Sequence, residues 1–180
     1  MGICGVYFAF GVVVMSIPPL VGDIRADLGL SRGSMGVALG AWQVVYIVSA
    51  PVGGRLIDRL GIHYGILLGG LVVAASGLVR AAAGGFGTFW LAIALFGVGG
   101  PLVSAGAPKA VGLWFAAERE RRLAIGIYST MPAIGGMATL VLSNSVLMPL
   151  TGSWRATVVI EIGLMVVALV VWLVVSGRAP

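Results

Sequence analysis

Six long apolar stretches alternate with short polar connections along the chain, and in each stretch the apolar residues fall on every face of a helix. They run over about 3 to 22, 33 to 54, 65 to 85, 89 to 113, 124 to 146 and 155 to 176. Each is near the ~20 residues that a helix needs to cross ~30 Å of hydrocarbon, so the pattern predicts six transmembrane helices. An even number of crossings puts both termini on one side. The first connection, Asp23 to Ser31, is a short amphipathic piece in which Ser31 is placed to cap the second helix. The second, Arg55 to Tyr64, is charged and tight.

Composition makes the class firmer. Of 180 residues, 59% are hydrophobic and 9% charged, against roughly 25% charged in a soluble domain. The expectation is a single all-α, multi-pass membrane domain over residues 1–180, in contact with the lipid bilayer. The net charge of +5 does not point to nucleic acid, because the basic residues sit in connections between apolar runs. Arg55, Arg59, Arg119, Arg121, Arg122 and Arg178 fall on one side, and Arg25, Arg32 and Arg155, with Arg80 nearby, on the other. The richer side is expected to be cytoplasmic, with both termini, in the cell membrane, which in a bacterium is the inner membrane. Trp114 and Phe115 fit an interfacial belt at one end of helix four, and Trp154 fits one at the outer end of helix six.

One cysteine, Cys4, and one histidine, His63, leave no intrachain disulfide and almost no ligands for a metal. No cofactor is expected. Gly97-Val98-Gly99 follows no strand and the sole lysine, Lys109, follows Pro108, so nothing reads as a phosphate loop. The N-terminus has no basic stretch ahead of its apolar run and no small-residue cleavage site, so that run is expected to remain a membrane helix.

Sliding the second half onto the first by about 86 to 90 residues aligns Phe10-Gly11-Val12 with Phe96-Gly97-Val98, and Arg32 and Gly36 with Arg122 and Gly126. Three helices then repeat as three more. Three being odd, the second triplet enters from the opposite face, the 3+3 inverted repeat of many secondary transporters. Gly33, Gly36 and Gly40, or Gly65 and Gly69, offer small faces for helix packing, and Pro18-Pro19, Pro101, Pro108 and Pro132 are points where a helix can bend.

The connection after helix two reads Gly54-Arg55-Leu56-Ile57-Asp58-Arg59-Leu60-Gly61-Ile62-His63. It resembles the signature loop of the major facilitator superfamily, Gly-x-Leu-x-Asp-Arg-x-Gly-Arg-Lys, and departs from it at Ile62 and His63, where two basic residues are usual. Pro108 to Phe115 and Arg121 to Ile127 look like the helix-four to helix-five passage of the same family. Asn144 to Pro149 and Ser153-Trp154-Arg155 are similar to its cyanate and nitroimidazole transporter branch. The resemblance covers essentially the whole chain and corresponds to one of the two six-helix halves of such transporters. It implies a gating loop built on Gly54, Arg55, Asp58, Arg59 and Gly61, and a role for Asp58 and Arg59 in holding the outward-facing state against the partner half.

Charged and polar residues at membrane depth are the remaining candidates. Glu161 sits roughly 9 Å inside helix six by helical rise; it is either a proton-coupling carboxylate or a residue paired with Arg155 or Arg80. Lys109 either draws an anion into a cavity or snorkels to headgroups, and Arg80 is either a substrate group or an interface anchor. Trp42, Gln43 and Tyr46 share one side of helix two, and Tyr128, Ser129 and Thr130 open helix five; they face either a pathway or a neighbouring helix. The reading is secondary active transport of a small solute by alternating access, with small anions favoured by Lys109, Arg80 and the narrower resemblance. The partner wall comes from a second six-helix half or a homodimer partner. The rivals are a non-transporting membrane scaffold and an inactive truncated transporter fragment. An enzyme is not expected, because no nucleophile with a base and no paired carboxylates lie at membrane depth.

Overall fold

The computed structural model describes residues 2–176; Arg178, which entered the charge comparison, lies outside the described residues. Among the described residues the chain is helical with short turns: α1 (Gly2–Val14), a 3-10 turn (Pro18–Leu20), α2 (Val21–Leu28), α3 (Arg32–Ala81), α4 (Phe86–Trp114), α5 (Glu118–Leu142), a π-helical turn (Ser143–Leu147), α6 (Met148–Thr151) and α7 (Trp154–Ser176). Five stretches are long and apolar enough to cross a membrane: Gly2–Leu28, Arg32–Ala81, Phe86–Trp114, Glu118–Thr151 and Trp154–Ser176.

The first helix is shorter than its apolar run. Pro18 and Pro19 cannot donate to the helical ladder, so α1 stops at Val14 and the chain passes through the 3-10 turn into α2. Gly29, at φ 62°, ends α2 in the left-handed conformation. Ser31 caps α3 as expected, its hydroxyl accepting from the Ser34 amide at 3.0 Å. At α5 the charged cluster is not a loop. Glu118 to Arg122 forms the first helical turn, with Glu118 and Arg122 paired at 2.6 Å and two acids at the positive end of the helix dipole.

α3 has 50 residues, about 75 Å by helical rise and more than twice a ~30 Å hydrocarbon core. It is not straight. Gly61 takes φ 79° and ψ 163°, a conformation open to glycine. A Cβ on Gly65 would lie 2.8 Å from the Ile57 side chain, although residues eight apart on a straight helix are about 12 Å apart. The limbs, 32–60 and 62–81, run in opposite senses along α4. On the first limb Gly97 meets Trp42, Pro101 meets Gly53 and Lys109 meets Asp58; on the second Gly106 meets Ile66, Leu102 meets Gly69 and Gly99 meets Val72. α3 is a helical hairpin that turns at Gly61.

The other helices keep the alternation. α1 and α5 run parallel, with Tyr7 against Tyr128, Gly11 against Pro132 and Val12 against Thr139. α7 runs opposite to the second limb, with Leu169 on Gly70 and Ile162 on Gly77, and opposite to α1, with Trp172 on Gly2. One end, here the proximal end, therefore carries Gly2, Asp58, Trp114 and Ser176. The distal end carries α2, Ala83 and the 143–155 segment.

Small residues make the closest crossings. A Cβ on Gly11 would fall 2.1 Å from the Pro132 carbonyl oxygen, and one on Gly135 would fall 2.1 Å from that of Phe8, so backbone touches backbone where α1 crosses α5. Gly69 and Gly99 do the same between α3 and α4. The Gly36 and Gly40 positions expected to pack face nothing within 4 Å, so that stripe is no crossing among the described residues.

Prolines inside α4 free carbonyls that lipid cannot solvate. Pro101 leaves the Gly97 oxygen without its helical donor, and the Ser49 hydroxyl donates to it at 2.8 Å. Pro108 does the same to the Ser104 oxygen, which the Tyr7 hydroxyl caps at 2.7 Å. Each bend is thereby held by a side chain from another helix.

The α1/α5 crossing is the tightest, so Gly135→Val should cost about 1–3 kcal/mol of stability by overpacking. Gly163→Val, where nothing lies within 4 Å, should cost nothing measurable. Denaturant titration of both variants in mixed micelles checks this; equal stability would remove the crossing as a structural key.

Candidate functional site: a cleft leading to buried charges

The first limb of α3 and α1 bound a cavity of about 460 Å³, with Pro132 of α5 at its side. Trp42, Gln43 and Tyr46, which the sequence places on one side of their helix, all line it. Tyr46 is anchored at its tip, its hydroxyl 2.5 Å from that of Ser104 on α4. Phe96 stacks on Phe10 at 5.4 Å and meets Trp42 edge-on at 5.8 Å, fixing the aromatic wall. Val14, Met15, Trp42 and Gln43 also line a smaller chamber of about 220 Å³, so the two adjoin. The chamber has Arg80 in its wall.

Arg80 is not an interface anchor. It is 2% exposed, and its Nη1 donates to the Ser16 hydroxyl at 2.6 Å, while Ser16 donates to the Val13 carbonyl at 2.8 Å. Its Nε–H has no acceptor among the described residues. Ser16 lies just beyond α1, in the loop that Pro18 and Pro19 force. That early helix end is what brings a hydroxyl over the guanidinium.

Glu161 is also 2% exposed. Its Oε1 accepts from the Ser143 hydroxyl at 2.5 Å, and its Oε2 has no donor among the described residues. Ser143 opens the π-helical turn, a local widening of the helix that often marks functional positions. Gly77 against Ile162 sets the adjoining turns of α3 and α7 together, three residues from Arg80 and one from Glu161. Among the described residues Arg80 and Glu161 form no ion pair.

Arg155 is committed elsewhere. It donates to Asp27 at 2.5 Å and to the Ala83 carbonyl at 2.8 Å, and stacks 4.4 Å from the Trp154 ring. Trp154 is buried and donates to Asp27 at 3.3 Å, so it is a distal clasp rather than a belt residue. At the proximal end the Lys109 ammonium meets the Asp58 carboxylate, tying α4 to the last turn of the first limb, just before Gly61. Gly54 and Gly61 flank that turn, and the exposed Arg55 and Arg59 make no ion pair among the described residues. Tyr128 is separated from Gln43 and Tyr46: it faces Tyr7 at 5.3 Å and a cavity of about 400 Å³ lined by Cys4 and Trp114. Ser129 and Thr130 bond back to carbonyls of their own helix.

The arrangement can hold a solute by hydrogen bonds and one buried cation. Trp42, Gln43, Tyr46, Arg80 and Glu161 were singled out from the sequence; Ser16 was passed over, and the Pro18-Pro19 break was the available signal for it.

The sequence profile of the Major Facilitator Superfamily matches residues 3–180. The chain belongs to the major facilitator superfamily. It is a multi-pass membrane protein whose apolar helices contact the lipid bilayer. It is 28% identical over 130 residues to the "Probable vesicular acetylcholine transporter-B" of Danio rerio, covering 70% of this chain and 26% of that protein. It is 24% identical over 172 residues to the "Uncharacterized transporter YycB" of Bacillus subtilis (strain 168), covering 96% of this chain and 42% of that protein. The chain thus spans less than half the length of either relative.

In this superfamily member a water-filled cleft should make position 43 reactive. With Cys4 replaced by Ser, Gln43→Cys should react with a membrane-impermeant thiol reagent roughly tenfold or more faster than Val167→Cys on the exposed face of α7, since thiolate forms only where water reaches. Equal rates would mean that the cleft is closed to water.

Proposed function

We propose that the chain is one half of a secondary active transporter that moves a small anionic solute across the cell membrane by alternating access. The observation that carries this is the pair of adjoining cavities that share Trp42 and Gln43 in their walls, the smaller of which has Arg80 in its lining. No Asp or Glu lines either part of it. The acetylcholine named for the fish relative is a cation, and a cleft whose only charged lining group is an arginine favours the opposite sign. Lys109 is withdrawn from this role by its pairing with Asp58.

The hairpin at Gly61 supports a reading of six crossings, and a pair of related contacts supports the 3+3 inverted repeat. Gly11 meets Pro132 and Gly97 meets Tyr46, and both members of the second pair stand 86 residues from their counterparts in the first. The proximal end carries Arg55, Arg59, Arg119, Arg121 and Arg122, so it is the cytoplasmic end, with both termini there. A second six-helix half, or a second copy of this chain, supplies the facing wall, and the solute passes between the two. Asp58 and Lys109 act as a proximal latch that holds the loop to α4 in one state and lets go in the other. Arg55 and Arg59 remain for the facing half.

The test is uptake of labelled nitrate into proteoliposomes holding the purified chain. Saturable uptake is expected. Asp58→Asn should slow turnover by up to about fivefold, because a half-exposed ion pair is worth at most ~1 kcal/mol, and should leave half-saturation unchanged. A full-speed Asp58→Asn protein removes the latch. No saturable uptake above protein-free vesicles removes transport by a pair of this chain, and the same result with a second six-helix half present removes the transport reading and favours the scaffold.

A further inference from the structure

Away from the cleft, a cavity of about 400 Å³ opens at the proximal end between α1, α4 and the start of α5, and it shares no lining residue with the cleft. Ile3, Val111, Trp114, Phe115, Ile127 and Met131 make most of its wall, which is therefore apolar. Trp114 and Ile127, 40% and 55% exposed, form the mouth. Tyr128 is the exception in the wall. It is 7% exposed, yet its hydroxyl makes no hydrogen bond among the described residues. Its neighbours differ: Ser129 and Thr130 donate to carbonyls of their own helix, and Tyr7, whose ring meets it edge-on, donates to the Ser104 carbonyl. A buried hydroxyl without an acceptor is costly, so the acceptor comes with whatever fills the cavity. Water fills it poorly, because an ordered water needs roughly two to four polar partners and the enclosed wall offers one hydroxyl and the weak Cys4 thiol.

The rim of the cavity is basic. Arg121 comes seven residues before Tyr128, two turns nearer the membrane surface on the same face of α5 and about 10 Å away by helical rise. A helical tyrosine leans toward the start of its helix, which shortens the gap between the hydroxyl and the arginine. Arg121 is exposed and holds no ion pair among the described residues, whereas Arg122 is spent on Glu118. Arg119, nine residues before Tyr128, lies on the opposite face of the helix. Among the described residues six cations, Arg55, Arg59, Lys109, Arg119, Arg121 and Arg122, stand at this end against three acids, Asp58, Glu118 and Glu120.

We propose that the cavity binds one anionic phospholipid of the surrounding bilayer, with an acyl chain inside, an ester carbonyl on the Tyr128 hydroxyl and the phosphate on Arg121. An apolar wall, then a lone hydrogen-bond donor, then a cation follow the order of the parts of such a lipid from chain to headgroup. A free phosphate would satisfy Arg121 and leave the cavity and Tyr128 unfilled; a neutral oil would do the reverse. The volume of about 400 Å³ equals that of roughly thirteen waters and falls within the range of sites for sizeable apolar ligands. Trp114 at the mouth stands where headgroups meet chains, the level that tryptophan favours, and the excess of cations at this end selects an anionic headgroup. The site lies outside the cleft of the transport reading and does not depend on it.

The experiment is native mass spectrometry of the purified chain equilibrated in detergent with equimolar phosphatidylglycerol and phosphatidylcholine of identical chains. One phosphatidylglycerol per chain is expected, retained at least about fivefold over phosphatidylcholine, as one arginine at a membrane surface gives. Arg121→Gln should erase the preference, and Arg119→Gln, the same charge lost from the opposite face, should keep it. Tyr128→Phe should reduce retention of both lipids about three- to tenfold, the loss of one hydrogen bond. Ile127→Trp, at an exposed position, should abolish retention by filling the mouth. Cys4, the sole cysteine, reports from within the bilayer: N-ethylmaleimide should label it more slowly in phosphatidylglycerol than in phosphatidylcholine nanodiscs, and Arg121→Gln should remove the difference. Equal retention of the two lipids by the wild type, or a preference that survives Arg121→Gln, overturns the headgroup seat. Full retention in Ile127→Trp, or Cys4 labelling indifferent to the lipid, overturns the chain seat. Displacement of phosphatidylglycerol by an equal concentration of glycerol phosphate overturns the lipid in favour of the bare phosphate.

Discussion

Hydrocarbon cannot hydrogen-bond, and that one constraint organises this molecule. In water the carbonyls that Pro101 and Pro108 release from α4 would be solvated. Here the Ser49 and Tyr7 hydroxyls must cap them, and by doing so they fix α4 against the first limb of α3 and against α1. Two bends become two joints. The same constraint explains the serines on Arg80 and Glu161, since a charge without a donor or acceptor at that depth would be driven to neutralise.

Packing without a hydrophobic effect explains the glycines. Where Gly11 and Gly135 let α1 meet α5, backbone touches backbone, and Gly97 makes a similar close contact between α4 and the first limb of α3. The clasps at the two ends of the bundle differ in kind. Arg155, Asp27 and Trp154 form a partly buried network at the distal end, while Lys109 and Asp58 form a single exposed pair at the proximal end. The proximal contact is the easier to open.

Much of this was legible from residues alone. Apolar runs of membrane length located the helices, and the glycine of the loop motif, Gly61, proved to be the turn of the hairpin. Trp42, Gln43 and Tyr46 share a cleft because spacings of three and four keep side chains on one helical face. What sequence could not give was reach between helices. Lys109 finds Asp58 although 51 residues separate them, and Arg80, near a helix end, is buried because α1 stops early and folds Ser16 over it. Trp154 looked interfacial for the same reason: its partner Asp27 is 127 residues away. The π-helical turn at Ser143 left no periodic signature in the chain. Glycine spacing alone also misled at Gly36 and Gly40, because a small face packs only where another helix passes.

The account turns on hydroxyls standing in for the donors that proline removes from α4. A double-mutant cycle at Tyr7 and Pro108, read by denaturant unfolding of the chain in mixed micelles, tests it most directly. Tyr7→Phe is predicted to cost about 1–3 kcal/mol with Pro108 in place and clearly less in a Pro108→Ala background, where the helix's own amide reaches the Ser104 carbonyl. An equal cost in the two backgrounds would contradict it.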